Sequence, residues 1–174
     1  MPIKISLKSR IALIGFMGAG KTSVSQALSQ LNGIKFIDMD AEIEKTTQMP
    51  IPHIFDKYGE GHFRCLEHEF CQQIPFMDDV IIATGGGCIL DSKNRDILRD
   101  NAWVVYLKAS PATILARIGD DTSRPLLFGG DKLSKITALL AEREPLYLQT
   151  AHFTIETDGM DIITCAEQII RARY

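Results

Sequence analysis

Short apolar runs alternate with longer stretches of helical periodicity along most of the chain. The strand-like runs fall near 10–14, 34–38, 79–84, 103–107 and 153–156. Val80-Ile81-Ile82-Ala83 and Val104-Val105-Tyr106-Leu107 are continuously apolar, as expected of a sheet covered on both faces. Between the runs, helical patterns occupy about 21–31, 40–47, 60–74, 92–100, 111–118, 132–148 and 160–173. This alternation predicts a parallel α/β sheet joined by right-handed crossovers. Capping residues sharpen two boundaries. Asp91 is placed to cap the helix at 92, and Ser110-Pro111 is a cap followed by an N1 proline.

One stretch fits neither period. Residues 119–131 have glycine near both ends, polar flanks and a small apolar centre, Leu126-Leu127-Phe128. A mobile lid and a plain surface connection both fit that composition. The chain shows no internal repeat and no linker, so its 174 residues read as a single domain, 1–174, with room for a substantial core.

Composition adds exclusions. Hydrophobic content is 45% and charged content 24%, ordinary for a globular protein. The net charge of −3 gives no basic footprint for nucleic acid, so an anionic ligand needs a local cationic pocket. No run approaches the roughly 18 apolar residues of a membrane span. Met1 to Lys8 lack the apolar core of a signal peptide. Cys65, Cys71, Cys88 and Cys165 form no C-x-x-C pair and read as reduced thiols. His53, His62, His68 and His152 lack metal-ligand spacing. The expected setting is the cytoplasm, with no nucleic-acid or membrane partner.

Against that background Gly15-Phe16-Met17-Gly18-Ala19-Gly20-Lys21-Thr22 matches G-x-x-x-x-G-K-[ST] at every fixed position. An apolar run precedes it and a helical pattern follows, as a phosphate-binding loop requires. Its N–H groups and the helix start make an anion cradle. Lys21 can reach the β/γ-phosphates and Thr22 offers a hydroxyl to Mg²⁺. Gly15, Gly18, Ala19, Gly20, Lys21, Thr22 and Ser23 are therefore the expected nucleotide contacts.

Two further clusters fall at the ligand-binding ends of predicted strands. If the strand continues through Asp38-Met39-Asp40, both carboxylates share one side. One could hold Mg²⁺ and the other activate a hydroxyl. Equally, either could cap the helix that follows. Gly85-Gly86-Gly87 permits close backbone approach and offers N–H donors to a substrate. Arginines are harder to place. Arg64 and Glu67 are an i, i+3 pair beside an apolar stripe, and from spacing alone Arg64 belongs to the surface. Arg143, just before Pro145, could balance a helix C-terminus. Arg117 and Arg124 bracket the start of the lid-like stretch, where arginine could clamp phosphate charge. Asp56-Lys57-Tyr58-Gly59 fits the D-x-x-G of GTPases, but no N-K-x-D follows, and it reads as a helix end and turn.

Taken in order, these motifs resemble the shikimate kinase family. They are the P-loop, Asp38-Met39-Asp40, Ile54-Phe55, Gly59-Glu60, Phe63-Arg64 with Glu67, Gly85-Gly86-Gly87, Arg124-Pro125-Leu126-Leu127, and Arg143 with Tyr147. The resemblance implies a P-loop kinase domain with a five-stranded parallel sheet in order 2-3-1-4-5, flanked by helices, with a mobile lid at about 119–131 and a substrate-binding region at about 38–67. It implies ATP-dependent phosphorylation of the 3-hydroxyl of shikimate in aromatic amino-acid synthesis. Asp40 would then bond the reacting hydroxyl, while Arg64 and Arg143 would hold the carboxylate and Glu67 would orient Arg64. Phe55, Phe63 and Gly85 to Gly87 would line the acceptor pocket. Arg117 would pack near adenine, Arg124 would approach the phosphates, and Thr22 with Asp38 would manage Mg²⁺. Lys21, Asp40 and Arg124 would be the catalytic set, in a monomer. The chain departs from the family pattern at Met49-Pro50-Ile51-Pro52, at Gln149, and at 157–161, where a proline is usual. Another small-molecule P-loop kinase, such as a gluconate kinase, and a non-catalytic nucleotide-binding module are the competing readings.

Overall fold

The apolar runs become strands, and their length limits how far each can be covered. The computed structural model describes residues 10–119, 121, 125–127 and 129–173. Its strands are β1 (Arg10–Ile14), β2 (Phe36–Asp38), β3 (Val80–Ala83), β4 (Trp103–Lys108) and β5 (Phe153–Glu156). They form one sheet in the order β2-β3-β1-β4-β5, every pair parallel. Leu13 lies opposite Ala83 on one side and Val105 on the other, so central β1 is buried along its whole length. Edge strand β2 is half-buried and shorter than its apolar run.

Among the described residues the α-helices are α1 (Lys21–Asn32), α2 (Met39–Thr47), α3 (Ile51–Gln73), α4 (Ser92–Asn101), α5 (Pro111–Ile118), α6 (Lys132–Thr150) and α7 (Ile162–Arg173). Alternation along the strands feeds two cores. Ile11, Leu13, Val105 and Leu107 pack with Leu28 of α1 and Ile169 of α7. Ala12, Ile14, Val104 and Tyr106 pack with Phe70 of α3, Leu98 of α4 and Tyr147 of α6. Each fully buried Leu or Ile contributes about 1.5–3 kcal/mol, so both helical layers hold the sheet firmly. The loops that leave the ends of β1, β2 and β3 therefore rise from fixed points on one edge.

The expected caps form. Asp91 accepts from the Lys93 amide at 2.9 Å, and Ser110 accepts from the Thr113 amide at 3.3 Å. The third helix departs from expectation: α3 starts at Ile51, not near residue 60. Pro50 is its N-cap and Pro52 lies in its first turn, where no N–H is needed. Gly59, at φ 82° and ψ 169°, breaks α3 into two helical parts. Asp56 to Gly59 thus closes the first part, as the turn reading expected.

Of the stretch 119–131, residues 120, 122–124 and 128 lie outside the described residues, Arg124 among them. Pro125–Leu127 forms a 3₁₀ turn, with Leu127 buried. The amino-terminal residues 1–9 lie outside the description as well. Among the described residues no helix is long and apolar enough to cross a membrane.

Candidate active site

The loop after β1 is built for an anion. Gly20 takes the N-cap position of α1 at φ 95°, a left-handed conformation that glycine adopts without strain. No side chain caps that helix start, and its first turn carries no acid. The loop and helix start line a cleft of about 220 Å³ with Gly18, Gly20, Lys21, Thr22 and Ser23. Lys21 Nζ lies across the loop, donating to the carbonyls of Gly15 at 2.8 Å and Phe16 at 2.9 Å.

Asp38 takes the capping role, one of the two readings open for it, and also bonds Thr22. Its Oδ1 accepts from the Ala41 amide at 3.1 Å, capping α2, while its Oδ2 accepts from the Thr22 hydroxyl at 2.5 Å. Asp40 arrives differently from the expectation. The strand stops at Asp38, and Asp40 is the second residue of α2. The same-side argument for a continuing strand fails, because two helical steps separate side chains by about 200°. Asp40 instead lines two cavities at once, the phosphate cleft and a neighbouring cavity of about 300 Å³. Met17 and Gly86 line both as well.

The second cavity gathers α2, both parts of α3 and the loop after β3. Phe55 and Phe63, with ring centroids 4.9 Å apart, form its apolar wall. Arg64 and Glu67 form its charged floor. Arg64 Nη1 donates to Glu67 Oε2 at 2.7 Å, and Nη2 donates to Glu60 Oε1 at 2.8 Å. The side chains of Arg64 and Glu67 are only 21% and 1% exposed. The surface placement expected for Arg64 is therefore overturned: its partner is interior, and burial makes the pair count. Burial opposes the charge of Arg64, yet Glu67 and then Glu60 hold its pKa above the ordinary value. Burial pushes Glu67 up to about 7, with the Arg64 charge opposing and the Asp40 charge adding to the rise.

These side chains explain the three glycines. A Cβ on Gly85 would lie 2.4 Å from Glu67 Oε1 and 3.0 Å from Asp40 Oδ1, and one on Gly87 would lie 2.4 Å from Arg64 Nη1. The glycines make room for carboxylates and a guanidinium, beyond the donor role expected for their amides. Tyr147 Oη donates to the Gly86 carbonyl, and Thr84 Oγ1 donates to Leu13 O at 3.0 Å, anchoring the loop on both sides.

Two further arginines differ in depth: Arg117 is exposed and Arg143 is buried. Arg117 Nη1 donates to Ala19 O at 3.1 Å and Nη2 to Thr157 O at 3.0 Å, tying the phosphate loop to the turn after β5. It lines a third cavity of about 500 Å³ with Ser23, Met160, Ile162 and Cys165. Arg143 is 4% exposed, in the interior of α6, with its guanidinium 5.7 Å from the Phe16 ring centroid. It is not a helix-end partner, since α6 runs on through Pro145 to Thr150. Nor is it among the side chains lining the 300 Å³ cavity, although its charge acts on Glu67. Met17, Glu44 and Leu126 do line that cavity and were not singled out from sequence. Met17 occupies a variable P-loop position and Leu126 follows the arginine-proline pair, so proximity to motifs was their signal.

Comparison with known proteins agrees with this geometry. A family model described as shikimate kinase matches residues 17–173. A shikimate kinase of Halorhodospira halophila is 43% identical over 164 residues, covering 94% of this chain and 93% of the relative. The structure of shikimate kinase from Acinetobacter baumannii in complex with shikimate superposes with a TM-score of 0.91 at 40% identity, covering 94% of this chain and 92% of that one. Shikimate kinase from Aquifex aeolicus gives a TM-score of 0.82 at 32% identity, covering 94% and 95% of the two chains. A P-loop cleft and a charged cavity meet at Asp40 in a chain this similar throughout, and the chain belongs to the shikimate kinase family.

Proposed function

We propose that this chain transfers the γ-phosphoryl group of ATP to the 3-hydroxyl of shikimate, releasing ADP and shikimate 3-phosphate on the route to aromatic amino acids. The observation that carries this reading is the junction of two cavities at Asp40 and Gly86. A donor phosphate in the P-loop cleft and an alcohol in the 300 Å³ cavity would meet there, with a carboxylate between them.

The roles follow from chemistry. Gly15, Gly18, Ala19, Gly20 and Ser23 surround the phosphates with amides, and Arg117 lies beside the adenine. Lys21 exchanges its two carbonyl partners for phosphate oxygens and neutralises charge as it develops. Asp40 accepts the proton of the attacking hydroxyl. Arg64 receives the shikimate carboxylate, and Arg143 adds a second positive charge behind it. Phe55 and Phe63 pack the ring, over Gly85, Gly86 and Gly87. Thr22 and Asp38, already bonded to each other, are the oxygen donors that a hard cation takes, and they would hold Mg²⁺. Bound there, Mg²⁺ supplies positive charge to the phosphate oxygens. Arg124, outside the described residues, would supply positive charge to the phosphates. The protein works as a cytoplasmic monomer.

A shikimate-dependent ADP release assay, with and without Mg²⁺ and with gluconate in a parallel arm, tests this reading. ADP release only with shikimate and Mg²⁺ is expected. ADP release with gluconate alone, or none above the acceptor-free rate, would overturn it.

A further inference from the structure

Arg64 is held from two sides by carboxylates of unequal freedom. Glu67 is interior and pressed against Gly85, so it cannot leave. Glu60 has a side chain 47% exposed and lies one turn back, directly after the Gly59 break. Its Oε1 accepts from both Arg64 Nη2 at 2.8 Å and Arg64 Nε at 3.3 Å. That is one of the two planar edges through which a guanidinium grips a carboxylate with paired bonds. The guanidinium lies close over Gly87, where a Cβ would come within 2.4–2.6 Å of Nη1, Cζ and Nη2, so only glycine leaves room for it there. With Glu67 fixed on Nη1, the fork open to exchange is the one that Glu60 fills.

We infer that Glu60 is a built-in stand-in for the acceptor's carboxylate: it occupies the outer fork of Arg64 and is displaced when the acceptor binds. The inference rests on the reading of Arg64 as the carboxylate clamp. Displacement makes binding an exchange of one carboxylate for another, so Glu60 lowers apparent affinity in proportion to its occupancy of the fork. A ligand without an anionic group in this position cannot compensate Arg64 for the partner it loses. Glu60 thereby raises selectivity while weakening affinity, and it acts through Arg64 as a positioning residue.

The sign of one substitution decides. Glu60→Gln keeps size and shape but makes a weaker partner for guanidinium. Exposed ion pairs of this kind are weak, so KM for shikimate should fall about two- to fivefold. The dissociation constant from calorimetric titration should fall with it, while KM for ATP stays in place. Glu60→Ala, which removes the partner altogether, should tighten shikimate at least as much. Both gains should vanish in an Arg64→Ala background. An unchanged or higher KM in both variants would overturn the inference, since Glu60 would then only hold Arg64 ready. A gain that persists without Arg64 would overturn it too, as a general surface-charge effect. Failure of the underlying clamp reading looks different: Arg64→Ala alone would leave shikimate affinity unchanged.

Discussion

On the proposed nucleotide side, charge recognition would come from contiguous backbone: Gly15 to Gly20, the start of α1 without a side-chain cap, and one lysine folded across the loop. On the proposed acceptor side it would come from side chains carried by α2, α3 and the loop after β3, packed closely against glycines. The first design tolerates water, because amides are satisfied by solvent until a phosphate arrives. The second depends on burial, because Glu67, at 1% exposure, is paired with Arg64. Damage should therefore act mainly on rate where donor and acceptor meet, and on affinity and pH response deeper in the acceptor cavity.

The largest loss is expected at the junction. Asp40→Asn removes the proton acceptor and should cut kcat by about 10²–10⁴-fold while ATP still binds, measured by nucleotide titration beside turnover. Lys21→Ala should cut kcat by about 10²–10³-fold with an unchanged melting temperature. Near-normal turnover in either variant would break the division of labour between the halves. Arg64→Ala comes next and should differ in kind. A charge-assisted pair is worth about 2 kcal/mol or more, so KM for shikimate should rise by roughly 30-fold. An effect of similar size on KM for ATP would contradict the separation of the two sites.

The same contrast explains what the chain's residues disclosed unaided. A contiguous loop flanked by a strand and a helix can be read directly, because backbone geometry follows from local sequence. Alternation of strand and helix also gives the parallel sheet, whereas its order 2-3-1-4-5 came from the family resemblance. Arg64 could not be placed from spacing, because its burial depends on Gly87, 23 positions away on another element. Only the ordered set of family motifs pointed to it. Asp40 was expected at a site for a partly wrong reason, since the helix starts earlier than the strand pattern allowed. The first part of α3 was missed because two prolines resemble a break until they are seen in a first turn. Arg143 was offered as a possible helix-end partner beside Pro145, but α6 runs to Thr150 and buries it in the helix interior.

The smallest expected effect in this series concerns the buried carboxylate itself, and it separates the halves by pH. Glu67 titrates near 7 in the folded chain against an ordinary 4.5, with burial the main cause. Between these values the folded state binds the extra proton and the unfolded state does not. Stability contributed by this group is thus fully present below about 4.5, falls as pH rises, and levels off above about 7. Glu67→Gln removes the titration while keeping the shape. Melting curves from pH 4 to 8 should show wild type losing stability relative to the variant across that window, with no further relative change above it. A flat difference would mean that Glu67 stays ionised throughout. The Arg64 pair would then outweigh burial, and the acceptor floor would be as insensitive to pH in this range as a cradle built from backbone amides.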